Sequence, residues 1–571
     1  MPNAIFEEPL EIEIGLIEAG PPGAGSYPYP HLIPASAVQK RVFRAAILEN
    51  DFLTATFVPA LGGRLLSIVD KRTSVDVLAA GSIVLRPTSA GRRGARLEAG
   101  IELHLDGRER LTSLAAVQFA AEEPNEDGPG GLWLAEAVTG TGLSWHLHVT
   151  VPEDRAELLF EARVFNRTYD PIPYAAGLVL PAMPDCRRDE SVVFTSRDGN
   201  GIALTAERGK WSSCISEGML RIARFGEPRM LAPRQLDTWH VRLIPFSGLN
   251  GVSAVSAAGA IFVGKDRIQI QPAGGFQGKV VLLTASGQSL EAPAEIHAGR
   301  TLDMPLPQPV SAAALMDAAR HVVLKSESEW GAVPSGSIDK SHPSDQSYPS
   351  YVSASDEHLE QATFDVATRH IAHALLGTLA LAAGDFAEAE SRFEQSLLYN
   401  GEDHLTWWMK AMAKRLQERE DEESPELLNA HYLAPLDPTL RAESFLSQPP
   451  TLARDPSPIL KPLDDYPETF VEVAALLVEA RLFEQASRWI DEALRHTDLP
   501  LLRFLLAFSH LQASGLDFEA AEQIKAAAKL PVGPPYPWRP IEIRALASLA
   551  KRFPDDARLR EWLEAIPSTM L

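Results

Sequence analysis

The hydrophobic pattern of this 571-residue chain changes its period once, and that change dictates two kinds of structure joined end to end. Through about residue 310, apolar and β-branched residues come in short alternating runs separated by Gly, Pro, Asn and Asp, which is how half-buried strands read. Phe52–Val58, Leu65–Val69, Ile101–Leu105, Trp145–Val151, Leu158–Val164, Val192–Thr195, Thr238–Ile244, Ile268–Gln271 and Val280–Thr284 are such runs. No helical period interrupts them, so they predict antiparallel sheets packed as a sandwich and argue against βαβ units. A short helical segment is predicted over Val310–Leu324. Residues 325–358, rich in Ser, Pro, Gly and Asp, read as a linker or a long surface loop. From about 359 onward the period is helical. The predicted divisions are a segment 1–40 packing on the β-domain, the β-domain at 41–310, the short helical segment and linker at 311–358, and helical repeats at 359–571.

The helical half carries an internal repeat. Leu376, Gly377, Gly384, Phe386, Ala389 and Phe393 fit the 34-residue tetratricopeptide pattern, in which small residues let two antiparallel helices approach and aromatic rings fill the space between them. Phe483, Ala486, Ile490 and Ala493 mark a second unit, and Phe518, Ala521 and Ala528 a third. Leu405–Leu416 and Glu426–Tyr432, closed by Pro438, read as an irregular unit between the first two. Pro540–Phe553 and Ala557–Ile566 read as a capping pair. Such arrays stack into curved solenoids. The surface they present suits a protein partner, a second copy of the chain, or the β-domain itself.

Composition narrows the partners. The formal net charge of −23, from 53 Lys and Arg against 76 Asp and Glu, repels phosphate backbones and anionic lipid, so neither nucleic acid nor membrane is expected. The two cysteines, Cys186 and Cys214, make no disulfide framework and lie in no metal-ligand spacing. No HExxH, GxSxG or nucleotide motif is present, and no cofactor or metal is expected. The opening residues, MPNAIFEEPLEIEIGLIEAG, lack a basic start and an unbroken apolar stretch, and no run of about 18 apolar residues occurs, so a cytoplasmic location is expected. Asn166-Arg167-Thr168 has the form of a glycosylation acceptor, which there is a chance match.

Several strands carry titratable residues on one face. The two-residue period places Glu102, His104 and Asp106 together, His146 with His148, His240 with Arg242, and Arg267 with Gln269 and Gln271. A sheet face with His, Glu, Asp, Arg and Gln suits sugar hydroxyls, which both donate and accept. The same alternation also describes the wet face of an ordinary antiparallel sheet.

ENDFLTATFVPALGGRLLSIVDKRTSVDVL, residues 49–78, resembles the opening of galactose-mutarotase-like domains, with a strand, a P-x-x-G-G-R turn at Pro59–Arg64 and a second strand. More widely the chain resembles an uncharacterised bacterial family in which such a domain precedes tetratricopeptide repeats. That likeness runs through Gly100-Ile101-Glu102, Asp106-Gly107, Asn166-Arg167-Thr168, Leu231-Ala232-Pro233 ahead of Trp239, Gln271-Pro272-Ala273-Gly274 and Tyr536-Pro537-Trp538. It implies an antiparallel β-supersandwich followed by a tetratricopeptide-like array, and a carbohydrate-active protein, foremost a glycoside hydrolase acting on a small oligosaccharide or glycoside. The chain departs from the family pattern at Gln269, where an acid is usual, and at Val241 and Arg242, where an acidic-aromatic pair follows the tryptophan.

Under the hydrolase reading Glu102 is the general acid, and Asp106, Asp185 or Asp237 the second group. Under a mutarotase or epimerase reading His146, His148 or His240 acts as acid and Glu102 as base. Arg64, Arg86 and Arg242 would hold hydroxyls or a substrate carboxylate, with His104, Gln269 and Gln271 completing the cleft. Trp145 and Trp239 lie on the apolar side of their strands, as core residues do. The third reading is a non-catalytic sugar-binding scaffold whose repeats recruit a partner.

Overall fold

The computed structural model describes residues 4–23, 25–78, 85–88, 92–105, 110–123, 130–189, 192–206, 211–223, 228–284, 286–306, 308–326, 331–333, 335, 355–418, 424–448, 457–463, 466–515, 517–534 and 536–567. Every strand read from the sequence forms, within two residues of its expected ends except that the one expected to start at Val280 starts at Phe276.

A nine-stranded antiparallel sheet is the frame. Its strands lie in the order Gly331–Ala332, Asp185–Arg188, Val192–Arg197, Asn200–Ala206, Leu236–Phe246, Leu158–Asn166, Leu143–Thr150, Gly131–Glu136 and Gln118–Glu122. Facing it are a five-stranded sheet built from residues 4–76 and a four-stranded sheet of Ser212–Ser216, Met219–Ala223, Gly177–Pro181 and Glu102–His104. A bridge between Leu65 and Ile101 joins these two into one layer. Between the layers lies a core in which Phe57, Ile68, Leu103, Leu178 and Leu220 meet Leu147, Phe160, Val241 and Leu243. Trp145 and Trp239 belong to this core, as their place in the alternation predicts.

The turn Pro59–Arg64 is fixed by backbone geometry. Gly62 and Gly63 have φ of 73° and 71°, and a Cβ at Gly62 would collide with the Ser113 carbonyl. The turn thereby delivers Arg64 into the interior.

Three expectations are corrected. Residues 4–20 and 31–49 are not a separate segment: they pair as one long hairpin and form the first two strands of the five-stranded sheet. The segment expected to be helical holds the strands Val310–Asp317 and Val322–Lys325. Its alanines favour helix, but pairing with Phe276–Thr284 buries Ala312, Ala313 and Leu315, and tertiary contact overrides propensity. These strands also complete a second, smaller sandwich spanning 254–325, whose own core joins Ile261, Ile268 and Ile270 to Val280, Leu282 and Leu315. The β-region is therefore two sandwiches. The chain then returns to the large sheet through Gly331–Ala332, and the linker expected after it lies mostly outside the described residues.

The helices are α1 Asp356–Ala362, α2 Arg369–Ala383, α3 Phe386–Tyr399, α4 His404–Leu416, α5 Pro425–Leu433, α6 Pro438–Leu446, α7 Ser457–Leu460, α8 Glu468–Glu479, α9 Phe483–His496, α10 Pro500–Ser514, α11 Asp517–Ala527, α12 Pro540–Arg552 and α13 Ala557–Glu564. The pairs α2/α3, α8/α9 and α10/α11 match the three repeat units. At Gly377 a Cβ would stand 2.6 Å from the Phe393 ring, which is why the pattern has glycine there. Pro438 opens α6 at its first turn instead of closing α5. In α11 the register is one residue earlier than expected: Ala520 and Ala527 are buried, while Phe518 is 74% exposed.

The array docks on the outer face of the nine-stranded sheet through buried ion pairs. Asp403 and Asp437 cap the N-termini of α4 and α6. Arg234 binds Asp403 with two bonds of 2.9 and 2.8 Å. Arg167 pairs with Asp437 and, at 2.9 Å, with Glu472 of α8, which also binds Arg539 at 2.7 Å. Phe165 inserts beside these pairs into the helical core, 4.4 Å from the His404 ring. Asn166 is fully buried and donates to the carbonyls of Asp170, Leu231 and Ala232.

Candidate functional site

The predicted site residues do not share one cleft; the structure spreads them over several separate places. Glu102 lies inside the sandwich, 2% exposed, with its carboxylate paired to Arg64 and 3.6 Å from Arg110. Arg64 also donates to the Ala99 carbonyl at 2.8 Å. Arg110 donates to the Leu103 carbonyl at 2.9 Å and to Glu136 at 2.6 Å, and its guanidinium covers the Trp145 ring. Glu136 accepts from Trp145 Nε1 at 2.8 Å. A buried chain Arg64–Glu102–Arg110–Glu136–Trp145 thus ties the two sheets together. His104 is buried on the same strand, with Nε2 3.1 Å from the Ile222 carbonyl oxygen; burial pushes its pKa down to about 3 and keeps it neutral. Glu102 and His104 are therefore interior staples, away from any open cleft, and Asp106 lies outside the described residues.

Gln269 and Gln271 belong to the small sandwich. Gln271 exchanges two 2.9 Å bonds with the Ser247 backbone, and Gln269 accepts from Asn250 N at 2.8 Å. Both amides pin the loop that enters the small sandwich, which is the physical reason amides stand there. Asp185 sits toward the far edge of the large sheet, bonded to Arg187 at 2.8 Å. Arg86 is exposed on a two-stranded ribbon and binds Glu98 at 2.5 Å. Asp237 accepts from the Tyr174 hydroxyl at 2.7 Å.

The remaining four, His146, His148, His240 and Arg242, share the outer face of the nine-stranded sheet, and His148 and His240 fall in one row there. The register explains how. Trp133 pairs with His148, His148 with Glu161, and Glu161 with His240, so these four side chains form one row across four strands. Trp133 stacks on His148 at 4.3 Å with 9° between the planes, and its Nε1 donates to Glu122 at 3.0 Å. His148 Nε2 is also 3.0 Å from Glu122, and His240 Nε2 is 3.6 Å from Glu161. Burial lowers the pKa of His148 despite Glu122 and Glu161, so its ring is neutral at neutral pH.

One row over stands Arg163, which binds Glu161 at 2.6 Å and the carbonyls of Tyr432 and Leu433 at the end of α5. Its guanidinium lies over both the Trp133 ring, at 5.1 Å, and the Tyr432 ring, at 5.4 Å. Tyr432 as a residue is 73% exposed. His146 lies in the same row as Arg163 but beneath the helices; its pKa falls to about 3 by burial, and its Nε2 has no partner. Arg242, half-exposed, approaches Glu157 at 3.6 Å.

Trp133, Glu122, Glu161 and Tyr432 were not singled out in the sequence. Glu161 lies on a predicted strand face, and cross-strand register would have joined it to His148; the strand that carries Trp133, Gly131–Glu136, is not among those read from the sequence. Tyr432 comes from a helix about 270 residues downstream of Glu161, and no local pattern announces that contact.

One family model, a domain of unknown function (DUF5107), matches residues 22–190. The chain is similar to a TPR-domain-containing protein from Parabacteroides distasonis, at 12% identity over 93% of this chain and 97% of that one, with a TM-score of 0.31. It is similar to a polysaccharide lyase at 10% identity, over 84% of this chain and 81% of that one, with a TM-score of 0.22. The TPR domain of P58(IPK) matches 34% of this chain and 63% of its own length at 17% identity, with a TM-score of 0.13.

Proposed function

We propose that the protein recognises carbohydrate on the open part of the outer sheet face, along the row Trp133–His148–Glu161–His240 and against the exposed Tyr432. The observation that carries this reading is the row itself. One aromatic ring, two imidazoles and a carboxylate line a partly exposed surface, and the rim of the helical array closes one side. Sugar hydroxyls call for bidentate acceptors such as Glu122 and Glu161, and the C–H face of a pyranose calls for a flat ring such as Tyr432. Arg163 fixes that ring by holding its face and the neighbouring backbone. Glycoside hydrolysis through Glu102 is disfavoured, because an acid locked between two arginines cannot reach a glycosidic oxygen.

A second reading has one specific support. A neutral His148 beside Glu122 is the kind of base that opens an aldose ring. Anomer exchange followed by NMR separates the two: exchange that accelerates with the protein and is lost in His148→Asn makes this a mutarotase-type enzyme. The test of the main reading is a screen against immobilised neutral glycans, with released sugar followed by mass. Binding without release is expected; retention of no glycan at all would discard the reading.

A further inference from the structure

Apart from the open face, a cavity of about 110 Å³ lies between the large sheet and the N-terminus of α8. Its wall is mostly apolar, but one buried amide on it is left incomplete. Gln118 is 7% exposed and its Nε2 has no hydrogen-bond partner; Thr112, 2% exposed, turns its hydroxyl toward the Glu136 carboxylate. Two carboxylates line the same space. Glu136 already serves Arg110 and Trp145, and Glu468 of α8 accepts from the Tyr29 hydroxyl at 2.6 Å. Buried polar atoms without partners are costly, so the Gln118 amide asks for a ligand or water.

The chemistry of that ligand follows from what the wall can and cannot satisfy. An anion would meet two carboxylates. A cation, ammonium or metal, brings no acceptor and could not serve the Gln118 amide nitrogen. A molecule whose groups both donate and accept serves all of them, and hydroxyls do both. Burial raises Glu468 to about 7, so at neutral pH it also samples the form that donates. By size, about 110 Å³ has room for several waters, or for one small molecule in their place.

We propose that this interdomain cavity binds one small neutral polyhydroxylated molecule, a pentose, a hexose or a shorter polyol, through Thr112, Gln118 and Glu468. The site uses none of the open-face residues and stands independently of the function proposed above. Because the ligand would touch both the sheet and α8, its binding would tighten the union of the two domains.

The test is calorimetric titration of the full chain with glycerol, xylose and glucose, with gluconate and glucosamine as charged controls. One neutral compound should bind with unit stoichiometry and raise the melting temperature. Ala135→Leu, which fills the cavity, should abolish this binding, and Gln118→Leu should weaken it at least tenfold. If Ala135→Leu fails to fold, the near-isosteric Gln118→Leu decides. No binding by any neutral compound, tighter binding by a charged control, or binding that persists unchanged in the variants would overturn the proposal. Oligosaccharide retention in the same variants reports the open face separately, so the two ideas fail independently.

Discussion

Glu102 illustrates how burial decides a residue's work. Its carboxylate neutralises Arg64 and stands near Arg110 in a dry interior. Glu102→Gln would leave two buried guanidinium groups short of an anion, at a cost of about 3–5 kcal/mol. A thermal or urea melt of the variant should show a large loss of stability; an unchanged midpoint would contradict the structural role. The buried titratable groups also make stability depend on pH, in opposing senses. His104 and His146 are held near 3, below the ordinary 6.5, so the unfolded chain takes up protons first. Their stability is present above pH 6.5 and is lost as pH falls toward 3, by about 2 kcal/mol each at pH 5. Glu468 acts in the opposite sense. Its pKa is raised to about 7 in the fold, so stability present below about 4.5 is lost as pH rises through 7. Melting temperatures should therefore rise from pH 4 to about 6.5, where the two histidines outweigh Glu468, and Glu468→Gln should steepen that rise. Residue chemistry was legible in type and illegible in place: alternation put Glu102 and His104 on one strand face, but nothing in one sequence tells an inner polar face from an outer one.

Among the elements, the strands and most of the helices were readable because their patterns are local. The segment 310–324 was not, since its alanines fit a helix and only pairing with a strand some thirty residues upstream makes it a sheet. The docking of helices on sheet was equally hidden, although its residues stood in plain view. Asn166-Arg167-Thr168 and Leu231-Ala232-Pro233 carried the family resemblance, and the fold gives their purpose: Asn166 ties the two segments together, and Arg167 and Arg234 reach the capping aspartates of α6 and α4. Burial pushes Asp437 upward, but Arg167 and His404 prevail and hold it well below the usual carboxylate range. Arg234→Met should leave Asp403 buried without its cation and destabilise the interface by about 3–5 kcal/mol. Hydrogen exchange should then accelerate in α4, and the double variant Arg234→Met with Asp403→Leu should recover part of the loss. Unchanged protection of α4 would show that these pairs do not secure the docking.

At the scale of the molecule, the helical array is committed to its own β-domain along one side, and the same union creates the surface on which the function is proposed. The sheet supplies Trp133, Glu122, Glu161 and the two histidines; the array supplies Tyr432 and the rim. The most direct measurement is calorimetric titration of the intact protein with the best-retained neutral oligosaccharide, compared between the native chain, Tyr432→Ala and Glu161→Gln. Saturable binding that weakens at least tenfold in each variant is predicted, with melting temperatures near native for Tyr432→Ala. Binding that neither variant alters would place the site elsewhere and contradict the account.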